Sequence, residues 1–166
     1  MKIINTIPSQ CFLGEGPIWM ANHGCFFWVD IEKGNLHRYH LATEQLEIRH
    51  FPNRLAVVLE GQNGKLILGL DRMLVRYDWE TEEIEQLCEV ESDLTLNRFN
   101  DGKIDPQGRI WIGTLSTLFT EGAGSLYRIG TDLKPLTQLK NLTISNGMVW
   151  TDDQQTFYFI DTPTKK

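Results

Sequence analysis

At 166 residues the chain is long enough for one modest domain with its own core. Apolar residues make up 41% and charged residues 23%, ordinary proportions for a globular protein. The net charge of −6 argues against a nucleic-acid surface, with Lys165-Lys166 the one clear basic spot, and no apolar run nears the ~18 residues of a membrane span.

The first ten residues, MKIINTIPSQ, hold one lysine and too short an apolar block for a secretory signal. Cys11, Cys25 and Cys88 show no paired spacing, and an odd count suits a reducing compartment. A cytoplasmic protein is expected, in which the Asn141-Leu142-Thr143 sequon has no role.

Strand-like runs then follow in groups of four. The first group is GPIWM (16–20), CFFWVD (25–30), NLHRYH (35–40) and LEIRHF (46–51). The second is AVVLE (56–60), KLILGL (65–70), MLVRYD (73–78) and IEQLCEV (84–90). The third is GKIDP (102–106), RIWIGT (109–114), SLYRIG (125–130) and KPLTQLK (134–140), and a fourth begins with GMVWT (147–151) and TFYFID (156–161). The second runs of successive groups start 40, 44 and 47 residues apart. Turn sequences Asn22-His23-Gly24, Gln62-Asn63-Gly64 and Pro106-Gln107-Gly108 join the first two runs of each complete group.

Four strands per unit at this period predict an all-β propeller of four-stranded blades, over about 14–52, 54–91, 96–140 and an incomplete 144–166. A β-sandwich is the competing reading, but it does not call for such regular repetition. Three blades and part of a fourth do not close a ring, so the chain is expected either to be a fragment or to pair with a second copy through its open edges. The longer link from Leu115 to Gly124 is expected to lie over one face.

The innermost strands of a propeller line its axis, so equivalent positions converge at one end of the channel. Taking Phe26, Leu66, Trp111 and Phe157 as equivalent, eleven residues earlier stand Glu15, Leu55, Asn100 and Asn146. Three of the four carry side-chain oxygens, the donors a hard divalent cation requires. Each also has a plainer reading: Glu15 as a solvated turn residue, Asn146-Gly147 as a tight turn, Asn100-Asp101-Gly102 as another. Their shared phase is what independent turns would not produce. Arg98, two residues before Asn100, is placed on the same side of an extended chain, at the rim of that pocket. Asp105-Pro106 reads as a turn.

Other patterns are missing. The histidines at 23, 37, 40 and 50 are scattered and read as surface, and no HExxH, GxSxG or P-loop occurs. Gly14-Glu15-Gly16 opens toward a strand and is no dinucleotide fingerprint. Trp19, Phe27, Trp28, Trp111, Trp150 and Tyr158 lie at strand phase and read as core between blades.

LGEGPIW (13–19), FFWVDI (26–31), NRFNDGKIDPQGRIWIGT (97–114), GSLYRI (124–129) and ISNGMVW with FYFIDT (144–162) closely resemble the gluconolactonase/regucalcin (senescence marker protein) family. The resemblance covers essentially the whole chain. It implies a six-bladed propeller, a metal-dependent hydrolase of sugar lactones, and one divalent ion (Ca²⁺, Zn²⁺, Mn²⁺ or Mg²⁺). It further implies that Glu15 and Asn146 are metal ligands and that Arg98 and Asn100 contact the substrate. The family's third ligand, an aspartate that also looks like the general base, would fall beyond Lys166. Some members carry a substrate-binding acid after the GT pair, where Glu121 is the only acid here. The alternative expectation is a non-catalytic half-propeller that binds or assembles, closing as a homodimer. Neither nucleic acid nor membrane is an expected partner.

Overall fold

A computed structural model describes residues 2–3 and 6–164. Lys165-Lys166, the last residues of the fourth predicted blade, lie outside the described residues. The first sheet is β1 (Gly14–Met20), β2 (Cys25–Asp30), β3 (Asn35–His40) and β4 (Gln45–His50), paired in that order. The second is β5 (Leu55–Glu60), β6 (Leu66–Leu70), β7 (Met73–Tyr77) and β8 (Ile84–Glu89). The third is β9 (Asn97–Ile104), β10 (Ile110–Ser116), β11 (Gly124–Ile129) and β12 (Pro135–Leu142), and β13 (Ser145–Trp150) with β14 (Phe157–Asp161) forms a two-stranded fourth. All neighbours are antiparallel, as tight turns between consecutive strands require.

Sheets follow one another face to face, with β5 against β1 and β2, β9 against β5, and β13 against β9 and β10. Phe27, Leu36, Leu55, Leu68, Leu74, Phe99 and Ile112 are essentially buried in one cluster spanning the first three sheets. A second cluster joins the third sheet to the fourth, where Leu126, Leu142 and Met148 meet Trp111, Trp150, Phe157 and Phe159. Phe157 stacks on Trp150 at 4.6 Å.

Several expectations need correction. Every innermost strand starts earlier than its apolar run suggests. Asn97-Arg98-Phe99-Asn100 belongs to β9, Glu15 to β1 and Asn146 to β13, so none of the three polar stations is a free turn. Trp19 and Tyr158 are 43% and 59% exposed, so alternation alone did not show which sheet faces are covered. His37 is buried rather than at the surface, its ring stacked 5.0 Å from that of Trp28. Strand register places Phe26, Ile67, Ile110 and Phe157 opposite Trp19, Leu59, Ile104 and Trp150. Ile67 and Ile110 therefore replace Leu66 and Trp111 in the alignment, and the even count of eleven varies by one in those two sheets. Glu15, Leu55, Asn100 and Asn146 each stand four residues before those partners.

Asp105 does more than mark a turn. Its buried carboxylate accepts hydrogen bonds from Gln107 N and Arg109 N at 3.0 and 2.9 Å. Arg109 Nε and Trp111 Nε1 donate to it as well, at 2.6 and 2.8 Å. Burial alone would raise its pKa, but the Trp111 indole and the Arg109 donors outweigh that and hold it below the usual carboxylate range. A depressed folded-state pKa contributes stability that is complete above the unfolded value of about 3.9 and is lost as pH falls through the folded one. Asp105→Asn should therefore cost about 2 kcal/mol at neutral pH and progressively less in acid, checked by urea unfolding from pH 7 to pH 2.5.

Candidate metal and substrate site

The first strand of every sheet shifts register against the second strand at or just past the station: after Glu15 in β1, after Leu55 in β5, beside Asn100 in β9 and after Asn146 in β13. Such bulges bend a strand and re-aim a side chain. In β13 the bulge is at Gly147, whose φ of +57° suits glycine.

Aspartates closing the second strands hold the approach to these stations. Asp30 accepts Phe12 N and Leu13 N at 2.8 and 3.0 Å, and Asp161 accepts Ile144 N at 2.8 Å and Thr143 N at 3.1 Å. Burial works against the Asp30 anion, yet the amides of Leu13, Phe12 and Lys33 lower its pKa overall. Leu13 and Ile144 stand two residues before Glu15 and Asn146, so the same device fixes both site strands.

Glu15, Arg98, Asn100 and Asn146 border one cavity of about 430 Å³, together with Asp101, Phe119 and the apolar Leu13, Ala56 and Leu115. Glu15 is exposed, and its carboxylate has no hydrogen bond or ion pair among the described residues. Asn146, also exposed, donates through Nδ2 to Thr162 Oγ1 at 3.4 Å, while its Oδ1 accepts Gly147 N at 3.0 Å. Asn100 is fixed at both ends: Nδ2 donates to Ser145 O at 2.9 Å, and Oδ1 accepts Arg98 Nη1 at 3.2 Å.

Arg98 is 4% exposed. Its Nη1 also donates to Phe99 O at 2.8 Å, its Nη2 lies 3.6 Å from Glu32 Oε1, and its buried Nε has no hydrogen-bond partner among the described residues. Burial pushes its pKa down, with Glu32 opposing. Glu32 is in turn held by Arg54 Nε at 2.9 Å. An arginine so enclosed is a positioned donor, not a loose surface charge.

Sequence reasoning missed Glu32 and Asp101. Glu32 directly follows the VDI motif and carries no signal of its own. Asp101 sat inside a segment read as a turn. Phe119, on the long link, does lie over the cavity, whereas Glu121 is exposed and does not line it.

The donor chemistry suits a hard divalent cation, since carboxylate and amide oxygens face one cavity and Glu15 has no competing protein partner. Among the described residues no cluster of three or more His, Cys, Asp or Glu side chains could hold an ion alone.

Residues 13–166 match the SMP-30/Gluconolactonase/LRE-like region, and the chain is a member of that family. It is 33% identical to the pentonolactonase XacC of Haloferax volcanii over 99% of this chain and 55% of that protein. With the regucalcin of Xenopus laevis it shares 30% identity over 97% of this chain and 56% of that protein. The crystal structure of a calcium-binding protein, regucalcin from Agrobacterium tumefaciens, superposes with a TM-score of 0.88 at 32% identity, over 92% of this chain and 52% of that one. The chain thus spans about half the length of the relatives it matches.

Proposed function

We propose that the chain supplies the cation- and substrate-binding half of a metal-dependent sugar-lactone hydrolase. The supporting observation is the cavity bordered jointly by Glu15, Arg98, Asn100 and Asn146. Relatives named as a pentonolactonase and a putative sugar lactone lactonase point to the same chemistry, and a relative named as a calcium-binding protein points to the ion.

Glu15 and Asn146 would hold the divalent cation through one charged and one neutral oxygen. When bound, that cation polarises the lactone carbonyl and stabilises charge developing on its oxygen. Arg98 and Asn100 orient the lactone, Arg98 through guanidinium hydrogens directed at hydroxyl or ring oxygens. Asn100 is locked between Arg98 and Ser145, so it offers a fixed amide edge at no further ordering cost. Phe119 borders one side of the cavity. The aspartate base that the resemblance places beyond Lys166 would take the proton from the attacking water.

A lactone-opening assay on a protein carrying that aspartate together with these four residues tests the reading. Five- and six-carbon sugar lactones should be opened only with Ca²⁺, Mn²⁺, Zn²⁺ or Mg²⁺ present, and a chelator should stop turnover. The 166-residue chain alone should bind lactone without turning it over. Turnover that survives exhaustive chelation would reject the reading.

A second reading rests on apolar exposure: Trp19 and Phe26 on the first sheet, and Val149, Tyr158 and Ile160 on the fourth, are 38–59% exposed. A second copy of the chain could cover these faces and give a homodimer. Light scattering after size exclusion should then give twice the 19.1 kDa mass of the chain.

A further inference from the structure

Asp101 stands beside the proposed ligands without a role assigned to it, and its bonding is specific. Oδ2 accepts Gly147 N at 2.8 Å, across the gap between β9 and β13, while Oδ1 accepts Gly102 N at 2.8 Å. Gly147 follows Asn146 directly and forms the bulge at which register shifts between Asn146 and Met148. A bulged residue has no place in the ladder, so its N–H must find another acceptor. Asp101 is that acceptor for Gly147, together with Asn146 Oδ1.

Two N–H donors, one to each oxygen, suit a carboxylate. An asparagine has a single oxygen and would turn its NH₂ toward one of them. A carboxylate offers about four lone-pair sites, and two remain after these bonds. Asp101 also borders the cavity with Glu15 and Asn146, so its charge acts on whatever binds there.

Resting on the reading of the cavity as a cation site, we propose that Asp101 is its positioning residue. It anchors the Gly147 amide, and through it the bulge that aims Asn146 inward, and it adds a second negative charge beside Glu15. Shared placement in one strand with Arg98 and Asn100 couples the substrate contacts of the third sheet to the cation ligand of the fourth.

The test measures Ca²⁺ binding by the 166-residue chain in calorimetry, with Gly147 amide exchange followed by NMR. Asp101→Ala should weaken Ca²⁺ about tenfold and speed Gly147 exchange in the ion-free protein. Asn146→Ala should weaken Ca²⁺ at least as much while leaving Gly147 protected by Asp101. Asp101→Asn, whose one oxygen can serve Gly147, keeps the anchor, loses the charge and falls between wild type and Asp101→Ala. Unchanged Ca²⁺ affinity in Asp101→Ala overturns the proposal, and if that variant fails to fold, unchanged affinity in Asp101→Asn does so. An Asp101→Asn loss as deep as that of Asn146→Ala would make Asp101 a direct ligand and overturn the positioning role. No effect of Asn146→Ala, or no Ca²⁺ bound by the wild type, rejects the cation reading itself.

Discussion

Gly113→Ala should lower stability by about 3 kcal/mol or more, the upper end of what overpacking a core usually costs. A Cβ at this position would fall on the Oγ and Cβ of Ser145, in the adjoining sheet. Both partners are strand residues with little room to retreat: Gly113 lies in β10, and Ser145 is fully buried in β13. At roughly 2–4 °C per kcal/mol for a chain of this size, calorimetry would register the loss easily. The effect should reach the site, because Ser145 O is the acceptor that fixes the Asn100 amide.

The double variant Gly113→Ala with Ser145→Gly makes the cause separable. It removes the colliding atoms, keeps the carbonyl of position 145, and eliminates a buried hydroxyl that has no hydrogen-bond partner among the described residues. It should recover at least half of the lost stability. Equal destabilisation in the single and double variants would mean that strain elsewhere in β10 is responsible.

Glu15→Gln should abolish cation-dependent lactone turnover in a protein carrying the complete site, and reduce cation affinity by about 100-fold or more. Ligand charge count sets affinity for a hard ion, and this substitution replaces a free carboxylate with an amide. Stability should change by no more than about 0.5 kcal/mol, since Glu15 is exposed and its carboxylate has no hydrogen bond or ion pair among the described residues. That pairing of outcomes distinguishes a ligand from a structural residue. Wild-type turnover in Glu15→Gln would reject the ligand role.

The contrast with Arg98 follows from burial. Arg98 serves Phe99 O, Asn100 Oδ1 and Glu32 together, so its removal would disturb the fold and the site at once. Glu15, whose carboxylate has no partner among the described residues, can be altered at almost no structural cost. For that reason the cleanest evidence on function lies at an exposed residue.

Much of this molecule was legible without coordinates. Alternating apolar runs separated by Gly, Asn and Pro specify antiparallel strands locally, and their period specifies repeated sheets, because each sheet must bury a face against the next. The same repetition placed Glu15, Asn100 and Asn146 at one station, and all three border one cavity. What local pattern does not encode is contact between sheets. Hydrogen bonds between residues 45 and 46 positions apart, Asn100 to Ser145 and Gly147 to Asp101, depend on how two bulged strands are brought side by side. The enclosure of Arg98 by Glu32, the demand for glycine at 113 and the exposure of Trp19 and Tyr158 have the same origin. Only tertiary packing decided them, because each depends on what the next sheet presents.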